Sequence, residues 1–82
     1  MNSDISVQGI GFHVQTEDWG HANPFIVSRV FKNGAVVKSI KTSYMEALKS
    51  GPRSDREAIQ LAIHHQHSQI LDLVLSGQLL KP

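Results

Sequence analysis

The densest run of side chains able to do chemistry is His64-His65-Gln66-His67, and His13 and His21 stand apart from it. Imidazole is a common zinc ligand and titrates near neutrality. On a helix, His64 and His67 lie three residues apart and share a face, whereas His65 points well away. No nearby Asp or Glu completes a ligand set, and nothing in the spacing makes His13 or His21 converge on the run. The histidines therefore read as solvated or interface residues, with no metal expected. Beside Leu61 and Leu71 they would make helix pairing sensitive to acid below about pH 6.5.

Covalent and acid–base catalysis find less support. The chain has no cysteine, no Gly-x-Ser-x-Gly elbow and no phosphate loop. Gly9-Ile10-Gly11 lacks the third glycine and following helix of a dinucleotide site. Glu17 and Asp18 are adjacent acids in a turn-rich stretch, where carboxylates are usually solvated or bonded to local backbone. Neither an enzyme nor a cofactor is expected.

Cations offer the other chemistry. Residues 1–24 hold three acids and no Lys or Arg, residues 25–53 hold six bases against Glu46, and residues 54–82 hold three acids against two bases. Arg29, Lys32, Lys38 and Lys41, interleaved with Ser28 and Ser39, would suit a sheet laid in a nucleic-acid groove. A single arginine in the sheet and a net charge of +1 make a weak electrostatic footprint. Lysines on an edge strand also discourage unwanted sheet growth.

The elements that must position these residues centre on Phe25 to Tyr44. Two runs rich in Val, Ile and Phe are split by Asn33-Gly34, a hairpin signal. A two-residue turn would set Arg29 opposite Lys38. A three-residue loop of Lys32, Asn33 and Gly34 avoids that pair and is the favoured register, with Val30 facing Val36, Ser28 facing Lys38 and Ile26 facing Ile40. Ile26, Val30, Val36 and Ile40 would then share one face, and Phe25, Val27, Phe31 and Val37 the other, beside Arg29 and Lys41. Upstream, Ile10 to Gln15 alternates as a half-buried strand, and the phase jump at Gly9-x-Gly11 suggests a bulge or a strand start. Trp19, in the polar connection 16–24, either folds back over the core or stays exposed as a contact anchor.

Ser43 and Glu46 form a capping box that opens a short helical turn through Lys49, which Ser50-Gly51-Pro52 stops. A second box, Ser54-Asp55-Arg56-Glu57, starts a long helix over about 55–76, with Gly77 as C-cap and Leu79 and Leu80 able to fold back. Ile59, Ala62, Ile63, Gln66, Ile70, Leu73 and Val74 fall on one side of it, facing the sheet. Leu61, Leu71 and Leu75, with His64 and Ser68 between them, make a second, narrower stripe. The expected architecture is α+β, a three-stranded antiparallel sheet over about 5–44 in β-β-β-α order, in a single domain of 82 residues.

A chain this short buries only about 60 to 65% of its unfolded surface, so its core is thin and oligomerisation is a common supplement. No apolar run approaches the length of a membrane span, and the amino terminus lacks a signal-peptide pattern, so a cytoplasmic location is expected.

Phe12-His13-Val14-Gln15-Thr16-Glu17-Asp18, Gly20, Asn23-Pro24, Gly34 and Thr42-Ser43-Tyr44 resemble a group of short bacterial proteins. The likeness covers roughly residues 10–48. It implies a bacterial origin and a compact β-β-β-α module, and it supplies no activity and no site residue. The leading expectation is a non-catalytic interaction module that forms a homodimer through Leu61, His64, Leu71 and Leu75 or through the uncovered sheet face, with a further protein partner unspecified. The second is nucleic-acid binding through Arg29, Lys32, Lys38 and Lys41.

Overall fold

The computed structural model describes residues 1–47 and 56–80. Four strands, β1 (Asn2–Val7), β2 (Ile10–Asp18), β3 (Phe25–Lys32) and β4 (Ala35–Ser43), form one antiparallel sheet in chain order. A short helix α1 (Tyr44–Ala47) follows. The long helix α2 (Arg56–Leu75) then crosses one face of the sheet, packing chiefly on β2. The sheet thus has four strands, not three, and begins at Asn2. The phase jump at Gly9-x-Gly11 is not a bulge; it marks a strand start, since β2 begins at Ile10, and a two-residue turn joins it to a further strand upstream. Gln8 (φ 51°) and Gly9 (φ 81°) both take positive φ, as a type I′ hairpin requires, and Val7 faces Ile10 across it.

The β3–β4 register also differs from expectation. Asn33 (φ 53°) and Gly34 (φ 79°) make a two-residue type I′ turn, with Lys32 opposite Ala35 and Phe31 opposite Val36. The like-charge contact that argued against this turn never forms. A bulge between Val30 and Phe31 takes up Val37, so Lys38 meets Val30 and Arg29 meets Ser39. Ser28 then faces Ile40, and Ile26 faces Thr42. Ile26, Val30 and Ile40 remain on the helix side, while Val36 moves to the other face with Phe31 and is 51% exposed.

Two apolar clusters lie between sheet and helix. Val7, Phe12, Val14, Val30, Ile70 and Val74 form the larger, and Ile5, Ile10, Ile40 and Leu71 pack against it. Ile26, Tyr44, Ile59 and Ile63 form the smaller, flanked by Ala47 and Ala62. The buried residues of α2, namely Ile59, Ile63, Gln66, His67, Ile70 and Val74, span an arc of about 100° on a helical wheel.

The ends of the helices follow local chemistry. Ser43 Oγ accepts the Glu46 N–H at 3.1 Å, capping α1. The expected continuation of α1 to Lys49, the Ser50-Gly51-Pro52 stop, and Ser54 and Asp55 of the second capping box lie outside the described residues. Gly77 (φ 82°) ends α2 in the left-handed C-cap conformation, its N–H bonding Val74 O at 3.1 Å. A 3₁₀ turn (Gln78–Leu80) then folds Leu79 and Leu80 back onto the larger cluster. No helix among the described residues is long and apolar enough to cross a membrane.

Candidate interaction surface

Between the two apolar clusters runs a buried polar belt. The His67 ring, 1% exposed, places Nδ1 2.7 Å from Thr16 Oγ1 and Nε2 2.8 Å from Ser3 Oγ. Thr16 Oγ1 lies 2.8 Å from Ser28 Oγ, which accepts from Gln66 Nε2 at 2.9 Å. Ser28 is 1% exposed, and Thr16 is the acceptor within reach of its hydroxyl proton. The protons therefore run from Gln66 to Ser28, from Ser28 to Thr16 and from Thr16 to His67 Nδ1, leaving Nε2–H to donate to Ser3. Burial pushes the His67 pKa down, aided by the positive charge of the amino terminus and by His64. This imidazole ties α2 to β1 and β2, which corrects the reading of His67 as solvated or at an interface.

The other histidines are dispersed. His64 and His65 are exposed. His13 bonds Asp4 Oδ1 through Nδ1 at 2.8 Å and Asn2 Oδ1 through Nε2 at 3.2 Å, and its ring lies 5.9 Å from that of Phe31. His21 stands edge-on to Tyr44 at 5.6 Å. Among the described residues, no three His, Asp or Glu side chains converge as a metal site would require.

The adjacent acids take structural partners. Asp18 accepts the Gly20 N–H at 2.9 Å and the Tyr44 hydroxyl, and Glu17 accepts from Gln15. The Tyr44 hydroxyl is pushed up to about 12, mainly by burial and then by its bond to Asp18.

The stripe expected on α2 is pulled apart. Leu71 borders the buried arc and packs against the larger cluster, while Leu61 and Leu75 are 71% and 57% exposed. Fourteen residues separate those two, roughly 21 Å along the axis. His64 sits beside Leu61 at a shallow depression.

The four basic residues divide between the faces of the sheet. Lys32 pairs across from Phe12 and Lys38 from Val30, which puts both on the helix side. Arg29 and Lys41 lie on the open side, where Trp19 joins them. Lys41 Nζ is 5.2 Å from the Trp19 ring centroid and 4.1 Å from that of Phe25, and Arg29 Cζ is 5.9 Å from Trp19. Trp19, 39% exposed, therefore lids the open face rather than the core beneath α2, and Val27 on that face is only 5% exposed. The sequence offered no sign of this grouping, because Trp19 reaches it through the 19–24 loop. That loop is fixed by Trp19 N–H to Phe25 O at 3.0 Å and Tyr44 N–H to Pro24 O at 2.8 Å.

Along β3 the open face reads Phe25, Val27, Arg29 and Phe31, with Gln15 beside Arg29 and His13 beside Phe31. Gly11, which carries no side chain, helps open a groove of about 690 Å³ next to Phe31, lined also by Asp4, Ser6, His13 and Asn33. At the sheet edge, Ala35 to Ser39 are all exposed, including Val37 at 43%. No family model matches this chain, and neither a curated protein nor a solved structure matches it.

Proposed function

We propose that the chain is a non-catalytic interaction module that pairs with a second copy of itself along the β4 edge to form a homodimer. The observation that carries this reading is β4 itself: nine residues long, hydrogen-bonded on one side only, with Val36 and Val37 exposed at its outer end. An unpaired strand edge is a template for a further strand; Lys38, Lys41 and the bulge at Val37 shorten the stretch of β4 that can pair, and the exposed Val36 and Val37 add burial that a thin core lacks. The opposite edge, β1, is shorter and turns Ile5 and Val7 toward the core, leaving Asn2, Asp4 and Ser6 outward. The α2 leucines contribute less, since Leu71 is engaged internally. The non-catalytic part is supported by how the acid–base groups are used: His67 is enclosed among hydroxyls, and Asp18 is held by Tyr44 and Gly20.

Light scattering across a dilution series at neutral pH tests the pairing. The expected result is a dimer mass for the parent chain and a monomer mass for the double variant Val36→Lys with Val37→Lys, with the far-UV circular dichroism of the two matching. A parent that is monomeric at every concentration overturns the proposal. A variant that remains dimeric removes β4 from it and returns attention to Leu61 and Leu75.

A further inference from the structure

We infer that the open face of the sheet is a docking surface for single-stranded nucleic acid, with Trp19, Phe25 and Phe31 as stacking rings and Arg29 and Lys41 as phosphate contacts. The inference stands whether or not the β4 edge pairs. Its basis is the juxtaposition of rings with cations that have no ion-pair partner; Glu17, across from Val27, shares this face but accepts from Gln15, and Asp4 is held by His13. Among the described residues, the ion pair present is His13 with Asp4, and no carboxylate pairs with Arg29 or Lys41. Both cations rest instead on aromatic rings that are themselves partly open to solvent.

An anionic partner answers the two cations, and flat, unsaturated groups on that partner answer the rings. Single strands carry both at a regular repeat, and stacking on aromatic side chains beside a cationic track is how proteins bind them without reading sequence. The layout along β3 suits a chain rather than a small ligand. Phe25 and Phe31 are six residues apart on one face, roughly 20 Å, with Arg29 between them. Trp19 and Lys41 thicken one end, and His13 and the groove beside Gly11 thicken the other. A duplex offers no exposed base faces, and an acidic peptide offers charge without them. Lys32 and Lys38, on the helix side of the sheet, take no part.

The test uses the full chain and a fluorescein-labelled oligothymidylate. At low salt the anisotropy should rise on binding, and the fluorescence of Trp19, the sole tryptophan, should be quenched. Two phosphate contacts predict a slope of log K against log salt of about −1.4. Arg29→Gln with Lys41→Gln should flatten that slope toward zero, whereas Lys32→Gln with Lys38→Gln should leave it nearly as it was. Trp19→Leu should weaken binding about tenfold or more with the slope kept, and Trp19→Phe should retain most of the affinity. If Trp19→Leu does not fold, the Arg29 and Lys41 pair, partly or fully exposed, decides. Absence of an anisotropy change at low salt overturns the inference. Displacement by polyglutamate as effective as by unlabelled oligonucleotide would assign the face to acidic peptides instead, and equal affinity for a duplex would remove the stacking rings.

Discussion

The two faces of the sheet handle polar groups in opposite ways. On the helix side, Thr16, Ser28, Gln66 and His67 are each at most 8% exposed, and among the described residues no buried side-chain nitrogen or oxygen lacks a partner. On the open side, Arg29 and Lys41 meet rings and solvent, with no described carboxylate paired to either. A satisfied hydroxyl–imidazole network inside a low-dielectric layer fixes how the helix sits, because every partner lost leaves another group stranded. Unpaired charge at the surface does little for folding and is available to a ligand. If the open face binds as proposed, stability and binding lie on different sides of the same strands, and substitutions should separate them.

His67→Ala should have the largest effect, about 3 kcal/mol lost in urea unfolding, because it opens a cavity and strands both Thr16 and Ser3. Thr16→Val comes next, near 2 kcal/mol, since it keeps the shape but removes the oxygen that His67 and Ser28 share. A graded effect follows from pH. The folded chain holds the His67 pKa below its unfolded value near 6.5, so the unfolded chain binds the proton first as pH falls. His67 then contributes its full stability above about pH 6.5 and loses it progressively below, at no more than about 1.4 kcal/mol per pH unit. Unfolding curves from pH 7.5 to 5 should show that decline in the parent and lose this component in His67→Ala. The smallest change belongs to the open face: Arg29→Gln with Lys41→Gln should alter stability by less than about 0.5 kcal/mol. A large loss there would mean that the cations brace the Trp19 loop, and the division between faces would fail.

Much of the fold was legible because its signals are local. Alternation in 10–15 and the Asn33-Gly34 turn marked two hairpin-forming runs, and the spacing Ile59, Ile63, Ile70, Val74 marked the buried side of α2. The first strand was missed because its turn is Gln8-Gly9. Glutamine seldom takes positive φ, so the type I′ geometry had no chemical marker at its first position. The β3–β4 register was misread because the like-charge contact was judged at Arg29 and Lys38 without allowing a bulge in between. His67 falls within the buried arc of α2, yet its polarity argued for the surface. Only Thr16, on β2, and Ser3, on the missed β1, explain its burial. The open-face cluster was invisible for a related reason, since Trp19, Arg29 and Lys41 come from three separate segments.

The order β1-β2-β3-β4 means that each strand pairs only with the one before or after it, joined by two-residue turns or a single short loop. Such a sheet can zip up from neighbours in sequence, and local pairing of this kind speeds folding by keeping closure entropy small. The belt imposes the opposite requirement. Ser3, Thr16 and Ser28 find their partners on α2 only after a segment some forty to sixty residues away in sequence has docked. The expected order is then a meander that forms first with its inner hydroxyls still bonded to water, and docking of α2 as the later step that dries them; refolding followed by Trp19 fluorescence and by far-UV circular dichroism checks it. Amide exchange should register this as a hierarchy, with β2 and β3 and the middle of α2 opening together and the free margin of β4 opening on its own.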